Sequence, residues 1–147
     1  MRRWNGWGQT STVYPLPPSA FSFLTTQLGT GSISEDASLE SVLASVPASR
    51  LPGRDGLMKD AQTRLMHALG QSLPDWVAMR SGQIESFPDG VAFPTSEDEL
   101  RGWLSFAQEN HIQVIPYGGG TSVVGHITPL SERGPVLTLD LSRMNQL

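Results

Sequence analysis

The stretch Val114-Ile115-Pro116-Tyr117-Gly118-Gly119-Gly120-Thr121-Ser122 decides how this chain is read, because a short β-branched run feeds three consecutive glycines and then two hydroxyls. One glycine suffices for most tight turns, and each further one costs backbone entropy, so a triplet points to a backbone that something approaches closely. Successive amides in such a turn form a concave nest for phosphate oxygens, and Thr121 and Ser122 add donors. A dinucleotide pyrophosphate is the ligand this favours, with an unliganded surface turn as the alternative.

Two phosphate loops are excluded by the residues after the triplet. Gly120 and Gly125 have the Walker spacing, but His126 and Ile127 stand where Lys and Ser/Thr belong. A Rossmann fingerprint needs a third glycine three positions after Gly120, where this chain has Val123.

Upstream, Pro94-Thr95-Ser96 precedes Glu97-Asp98-Glu99, so Ser96 is expected to cap a helix and Glu99 to complete a capping box. Three acids in the first turn suit the helix dipole. Leu100, Trp103, Leu104 and Ala107 recur at helical spacing as one apolar stripe, and Asn110 is the expected stop. Residues 91–93 and 112–115 read as flanking strands. The glycine loop would then lie at the carboxyl end of the second strand of a βαβ unit, where α/β ligands bind.

The residues from Phe87-Pro88-Asp89-Gly90-Val91 through Pro94-Thr95-Ser96 to Ile115-Pro116-Tyr117-Gly118-Gly119-Gly120-Thr121-Ser122-Val123 resemble the FAD-binding domain of the vanillyl-alcohol oxidase and para-cresol methylhydroxylase (PCMH-type) superfamily. Trp4-Asn5-Gly6-Trp7-Gly8, His67-Ala68-Leu69-Gly70-Gln71-Ser72 and Arg80-Ser81-Gly82 resemble its alkylglycerone-phosphate synthase branch. These runs are more specific than the glycine loop, since the chain has only four tryptophans and two fall in the first motif.

The resemblance implies an α+β fold: an N-terminal helical lead over residues 1–86, then the first βαβ part of a PCMH-type FAD-binding domain over 87–147. It implies FAD as cofactor, with Pro116, Tyr117, Gly118, Gly119, Gly120, Thr121, Ser122, Val123 and Gly125 around its pyrophosphate. The activity implied is exchange of an acyl for an alkyl group on a lipid-like phosphate ester through a flavin adduct, without net redox change. A small-molecule or lipid-like substrate and a homodimer at full length are also implied. An FAD-linked D-2-hydroxyacid or glycolate oxidoreductase shares the loop and is the alternative; an inactive remnant or interaction module is the alternative of another class. The family commonly has a second glycine after Gly125, where this chain has His126. That leaves a histidyl flavin link open beside a plain polar residue.

Enzymes of that family are several times longer than 147 residues. With residues 136–141 read as a strand close to the end, the chain is expected to be a fragment whose catalytic residues lie downstream, so no catalytic residue is assigned.

Ten basic and fourteen acidic side chains give a formal charge of −4. From Ala61 onward five Arg face nine acids, which argues against a nucleic-acid surface. There is no cysteine, hence no disulfide framework and no thiolate site. His67, His111 and His126 share no metal-ligand spacing. Arg2-Arg3 is followed by polar and glycine residues rather than an apolar signal core, and no run approaches a membrane span of about 20 residues. The resemblance implies a peroxisomal presequence ahead of the tryptophan motif in animal relatives, and with Met1 almost against that motif the same targeting route is expected to be missing here. A cytoplasmic protein without an integral membrane segment is expected.

Before the βαβ unit, residues 19–28, 38–46 and 57–69 read as helices closed by Gly29, Pro47 and Gly70, the last with an apolar face of Leu57, Ala61, Leu65, Ala68 and Leu69. Residues 29–34 and 49–56 read as linkers. Arg54 and Arg80 are candidates for a substrate phosphate, against an ordinary solvated ion pair. Trp4 and Trp7 would line an acyl channel or plug the fold, and Arg80 is in reach of Trp76 on a further helix.

Overall fold

The computed structural model describes residues 2–32 and 34–145. Met1, Ile33 within the expected 29–34 linker, Gln146 and Leu147 lie outside the described residues.

Three strands, β1 (Gly90–Ala92), β2 (Gln113–Tyr117) and β3 (Val136–Asp140), form a parallel sheet in the order β1-β3-β2. Val91 and Ile115 both register on Thr138, one from each side. The strand latest in sequence is therefore the central one. All five of its residues are buried, which is why its sequence runs Val-Leu-Thr-Leu without a polar-out alternation.

Between β1 and β2 runs helix α5 (Glu97–Glu109), with Ser96 accepting from the Glu99 amide at 3.2 Å and Asn110 as C-cap. The expected capping box does not form. Glu99 reaches one residue further back, to the Thr95 amide at 2.7 Å and its hydroxyl at 3.0 Å. The apolar stripe also shifts: Leu104 is exposed, and Phe106 joins Trp103 and Ala107 in a core with Leu51, Ala92, Ile112, Leu137 and Leu139. His111, with φ of +53°, turns the chain from α5 towards β2.

Ahead of the sheet stand α1 (Pro18–Leu28), α2 (Leu39–Ser45), α3 (Ala61–Leu65) and α4 (Leu73–Ser81). The helix expected over 57–69 is shorter because Asp60 caps it and Met58 is used elsewhere. Met58 exchanges two 2.9 Å backbone bonds with Val91, covering the edge of β1. That puts Leu57 against the first core, while Leu65 and Ala68 join Val42 and Phe87 in a second. Helix α4 opens on a reciprocal capping box between Ser72 and Asp75 and ends on left-handed Gly82.

The helical lead is tied to the sheet by buried polar bonds. Asp89, just before β1, accepts from the Arg50 amide, Nε and Nη2 and from the Val136 amide. Burial works against ionising Asp89, yet these bonds outweigh it and hold the carboxyl below its ordinary range. Buried Arg64 donates to the Pro88 carbonyl at 2.6 Å and to the Pro47 carbonyl.

Candidate functional site

The glycine loop leaves β2 at its carboxyl end, as the sequence indicates. Pro116 and Tyr117 are the last strand residues; Pro116 is exposed and Tyr117 buried. Gly118, Gly119, Thr121, Val123 and Gly125 are exposed, Gly120 is buried, and Ser122 is half-buried, its hydroxyl accepting from the His126 amide at 3.2 Å.

The three glycines have different reasons to be glycine. Gly120 has φ of +67°, and a Cβ on it would overlap the Tyr117 hydroxyl and stand 2.8 Å from Arg2 Nη2. The fold itself requires that glycine. Gly118 would meet nothing within 4 Å and Gly119 only the Thr121 methyl at 3.5 Å, and neither adopts a positive φ. Neither backbone angle nor packing demands glycine at these two places. They leave a bare, open backbone, which fits the close approach of a phosphate group.

Underneath the loop, Tyr117, expected around the pyrophosphate, joins a polar cluster with Arg2, His67 and Asp140, to which the sequence assigns no binding role. The Tyr117 hydroxyl accepts from Arg2 Nη2 at 2.8 Å and donates to the Met66 carbonyl at 3.2 Å. The Tyr117 ring lies 4.4 Å, centroid to centroid, from that of His67. His67 is bracketed by the Thr63 carbonyl at 2.7 Å from Nδ1 and Asp140 Oδ2 at 2.9 Å from Nε2. Burial again opposes ionisation of Asp140, and bonds from Ser142 and His67 more than offset it, leaving the carboxyl below its ordinary range. The partners are 73 and 115 residues apart in sequence, so no local pattern could have revealed them.

The synthase-like motif at residues 67–72 pins the loop from the other side. A Cβ on Gly70 would overlap the Ser122 carbonyl oxygen, and the next amide, Gln71, donates to that oxygen at 2.7 Å. The tryptophan motif forms a turn closed by the Arg2–Gln9 bridge and the 2.9 Å bond from the Arg3 amide to the Gly8 carbonyl. Trp4 packs on the second core, whereas Trp7 is 59% exposed. Residues 6–9 of this turn, with Arg2, Gln71 and Gly119, line a cavity of about 260 Å³. The tryptophan motif and the glycine loop therefore face each other.

The other candidates lie elsewhere. Arg54 stacks over Trp103 at 4.4 Å and Phe106 at 4.9 Å, on the helix side of the first core. Arg80 pairs with Asp36 at 2.7 Å on an exposed surface, and the indole nitrogen of Trp76 donates to the Gln71 side chain. His126 is exposed, with its backbone amide held by Ser122.

The sheet is parallel with an open glycine loop at its carboxyl end, the arrangement of an α/β unit, and residues 88–147 match the FAD binding domain family. The chain is similar to an alkyldihydroxyacetonephosphate synthase of Dictyostelium discoideum, 28% identical over 99% of this chain and 30% of that protein. It superposes on a solved alkyldihydroxyacetonephosphate synthase with a TM-score of 0.80 and 26% identity, over 99% of this chain and 33% of the other. A shorter similarity, 32% over 63% of this chain and 15% of the relative, is to a mitochondrial cytochrome-dependent D-lactate dehydrogenase of Arabidopsis thaliana. The chain spans about a third or less of the length of these proteins. No helix among the described residues is long and apolar enough to cross a membrane.

Proposed function

We propose that this chain supplies the pyrophosphate side of an FAD site in an enzyme that exchanges the acyl group of acyl-dihydroxyacetone phosphate for a long-chain alcohol. The observation that carries the cofactor assignment is the pair Gly118 and Gly119, bare and open where the chain's own fold does not need glycine. In this reading the loop amides of residues 118–122 donate to phosphate oxygens, Thr121 and Ser122 add hydroxyls, and Pro116, Tyr117, Val123 and Gly125 shape the turn. When bound, FAD supplies an electron sink, and the protein's share is binding and orientation.

Residues 1–86 act as a lead that packs on the FAD-binding portion, 87–147, and sets the loop through Gly70 and Gln71 and through the bonds of Arg2 and Met66 to Tyr117. The synthase reaction is preferred to hydroxyacid oxidation because the similarity to the synthases takes in the tryptophan motif and 99% of the chain. The 63% shared with the D-lactate dehydrogenase favours the second reading. For compartment and assembly the proposal is a cytoplasmic homodimer, on the strength of the resemblance.

Anaerobic incubation of the FAD-loaded native gene product separates the two reactions. Ether product from acyl-dihydroxyacetone phosphate and hexadecanol, with no electron acceptor present, is the expected result. Bleaching of the flavin by D-lactate or glycolate with no ether product would overturn it.

A further inference from the structure

Arg2 occupies an unusual position for a residue so near the start of a chain. Its backbone is bridged to Gln9 across the tryptophan turn, and that turn is anchored through Trp4 on the second core. Its guanidinium is half-buried, carried to Tyr117 on the far side of 115 residues, and meets the glycine loop at Gly120. No carboxylate among the described residues lies within ion-pair reach of it, although Arg50, Arg80 and Arg101 each have one. Among those residues its single side-chain bond, to the Tyr117 hydroxyl, is to a neutral oxygen and uses one of five N–H groups. It shares the walls of one cavity with Gly119, whose backbone lies open.

Accepting the FAD reading, on which this rests, we infer that Arg2 is the charged partner of the cofactor's pyrophosphate, presented to it by the tryptophan turn. The loop amides alone offer partial charges. A pyrophosphate is anionic, and a half-buried guanidinium without a carboxylate is the complement that such oxygens bind most strongly. Tyr117 fixes the fork's direction, and Gly120 lacks a side chain so that the guanidinium can come this close. The tryptophan motif thereby acquires a task in cofactor binding: it closes the cradle opposite the loop and brings the positive charge with it.

The test is the FAD dissociation constant of the native gene product, stripped of flavin and titrated at low and high sodium chloride. Arg2→Gln is expected to raise the constant about tenfold at low salt and to weaken its dependence on salt, because one charge contact is gone. Arg2→Lys should recover part of the affinity and the salt dependence. Tyr117→Phe keeps the charge and removes only the strut, so it should cost less than Arg2→Gln and leave the salt dependence in place. Unfolding midpoints of all three variants separate binding from folding. Wild type that binds FAD while Arg2→Gln binds it equally well, or with the same salt response, would overturn this inference alone; so would equal losses in Arg2→Gln and Tyr117→Phe. Failure of wild type to bind FAD would overturn it together with the reading beneath it.

Discussion

The α-carbon of Gly70 is packed so closely on the carbonyl of Ser122 that no side chain fits between them, and the Gln71 amide then bonds that carbonyl at 2.7 Å. The shape of the glycine loop is thus set by a residue about fifty positions away, in the helical lead. Gly70→Ala should force the loop outward and cost about 2 kcal/mol of stability, read as a lower urea midpoint. FAD affinity should fall with it, since the loop amides would no longer converge.

Gly120→Ala should behave similarly for a different reason. Its backbone is left-handed and its Cβ would displace the Tyr117 hydroxyl. A loss of about 1–3 kcal/mol is expected from strain alone, and Tyr117→Phe in the same background should relieve only part of the clash, because the ring carbon Cζ still stands 2.6 Å from the new Cβ. Denaturant titration of the single and double variants measures the coupling.

Ser96→Ala removes the cap of α5 and should cost about 1 kcal/mol without altering FAD affinity, because the change lies at the first turn of a surface helix. Ser72→Ala opens a reciprocal box and should cost at least as much. Thermal unfolding with and without added FAD separates the two effects.

Asp89 accepts four bonds at the junction of lead and sheet. Asp89→Ala would strand the buried Val136 amide, while the half-exposed Arg50 guanidinium keeps its bonds to the Ser131 and Gly134 carbonyls, and should cost about 1–3 kcal/mol. The carboxyls of Asp89 and Asp140 are both held below their ordinary range. A depressed folded-state value means that the stabilisation is present above the unfolded value, near 4, and disappears as pH falls through the lower folded one. Urea midpoints should therefore drop below about pH 4, and Asp89→Asn should flatten that drop while lowering the midpoint at neutral pH.

Much of the FAD-binding portion is legible in the sequence because its signals are local. Ser96, the acidic first turn and Asn110 delimit α5 within a residue, and the β-branched runs mark β2 and β3. Where local signals compete, reading fails: Leu57 and Leu69 lie in helical register with Leu65, but the Met58 backbone is claimed by β1, so the helix is only five residues long. The capping box between Ser72 and Asp75 is a signal for α4, yet an aspartate at the third position and a proline inside the first turn obscure it. The glycine triplet can be found in the sequence but not divided. Only packing distinguishes Gly120, required by Tyr117 and Arg2, from Gly118 and Gly119, which face open space. The Arg2–Tyr117 and His67–Asp140 bonds join distant segments and leave no periodic trace.

Gly119→Val is the most direct test of the cradle. Its position has no left-handed φ and no packed neighbour closer than 3.5 Å, so a side chain there is accommodated by the fold and obstructs only what approaches from outside. The measurement is the FAD dissociation constant of the native gene product beside its urea midpoint, for wild type and Gly119→Val. The expected result is a midpoint equivalent to within about 0.5 kcal/mol, as for an unconstrained surface site, with FAD retention abolished. FAD bound as tightly as by wild type would contradict the assignment of this loop as the pyrophosphate site.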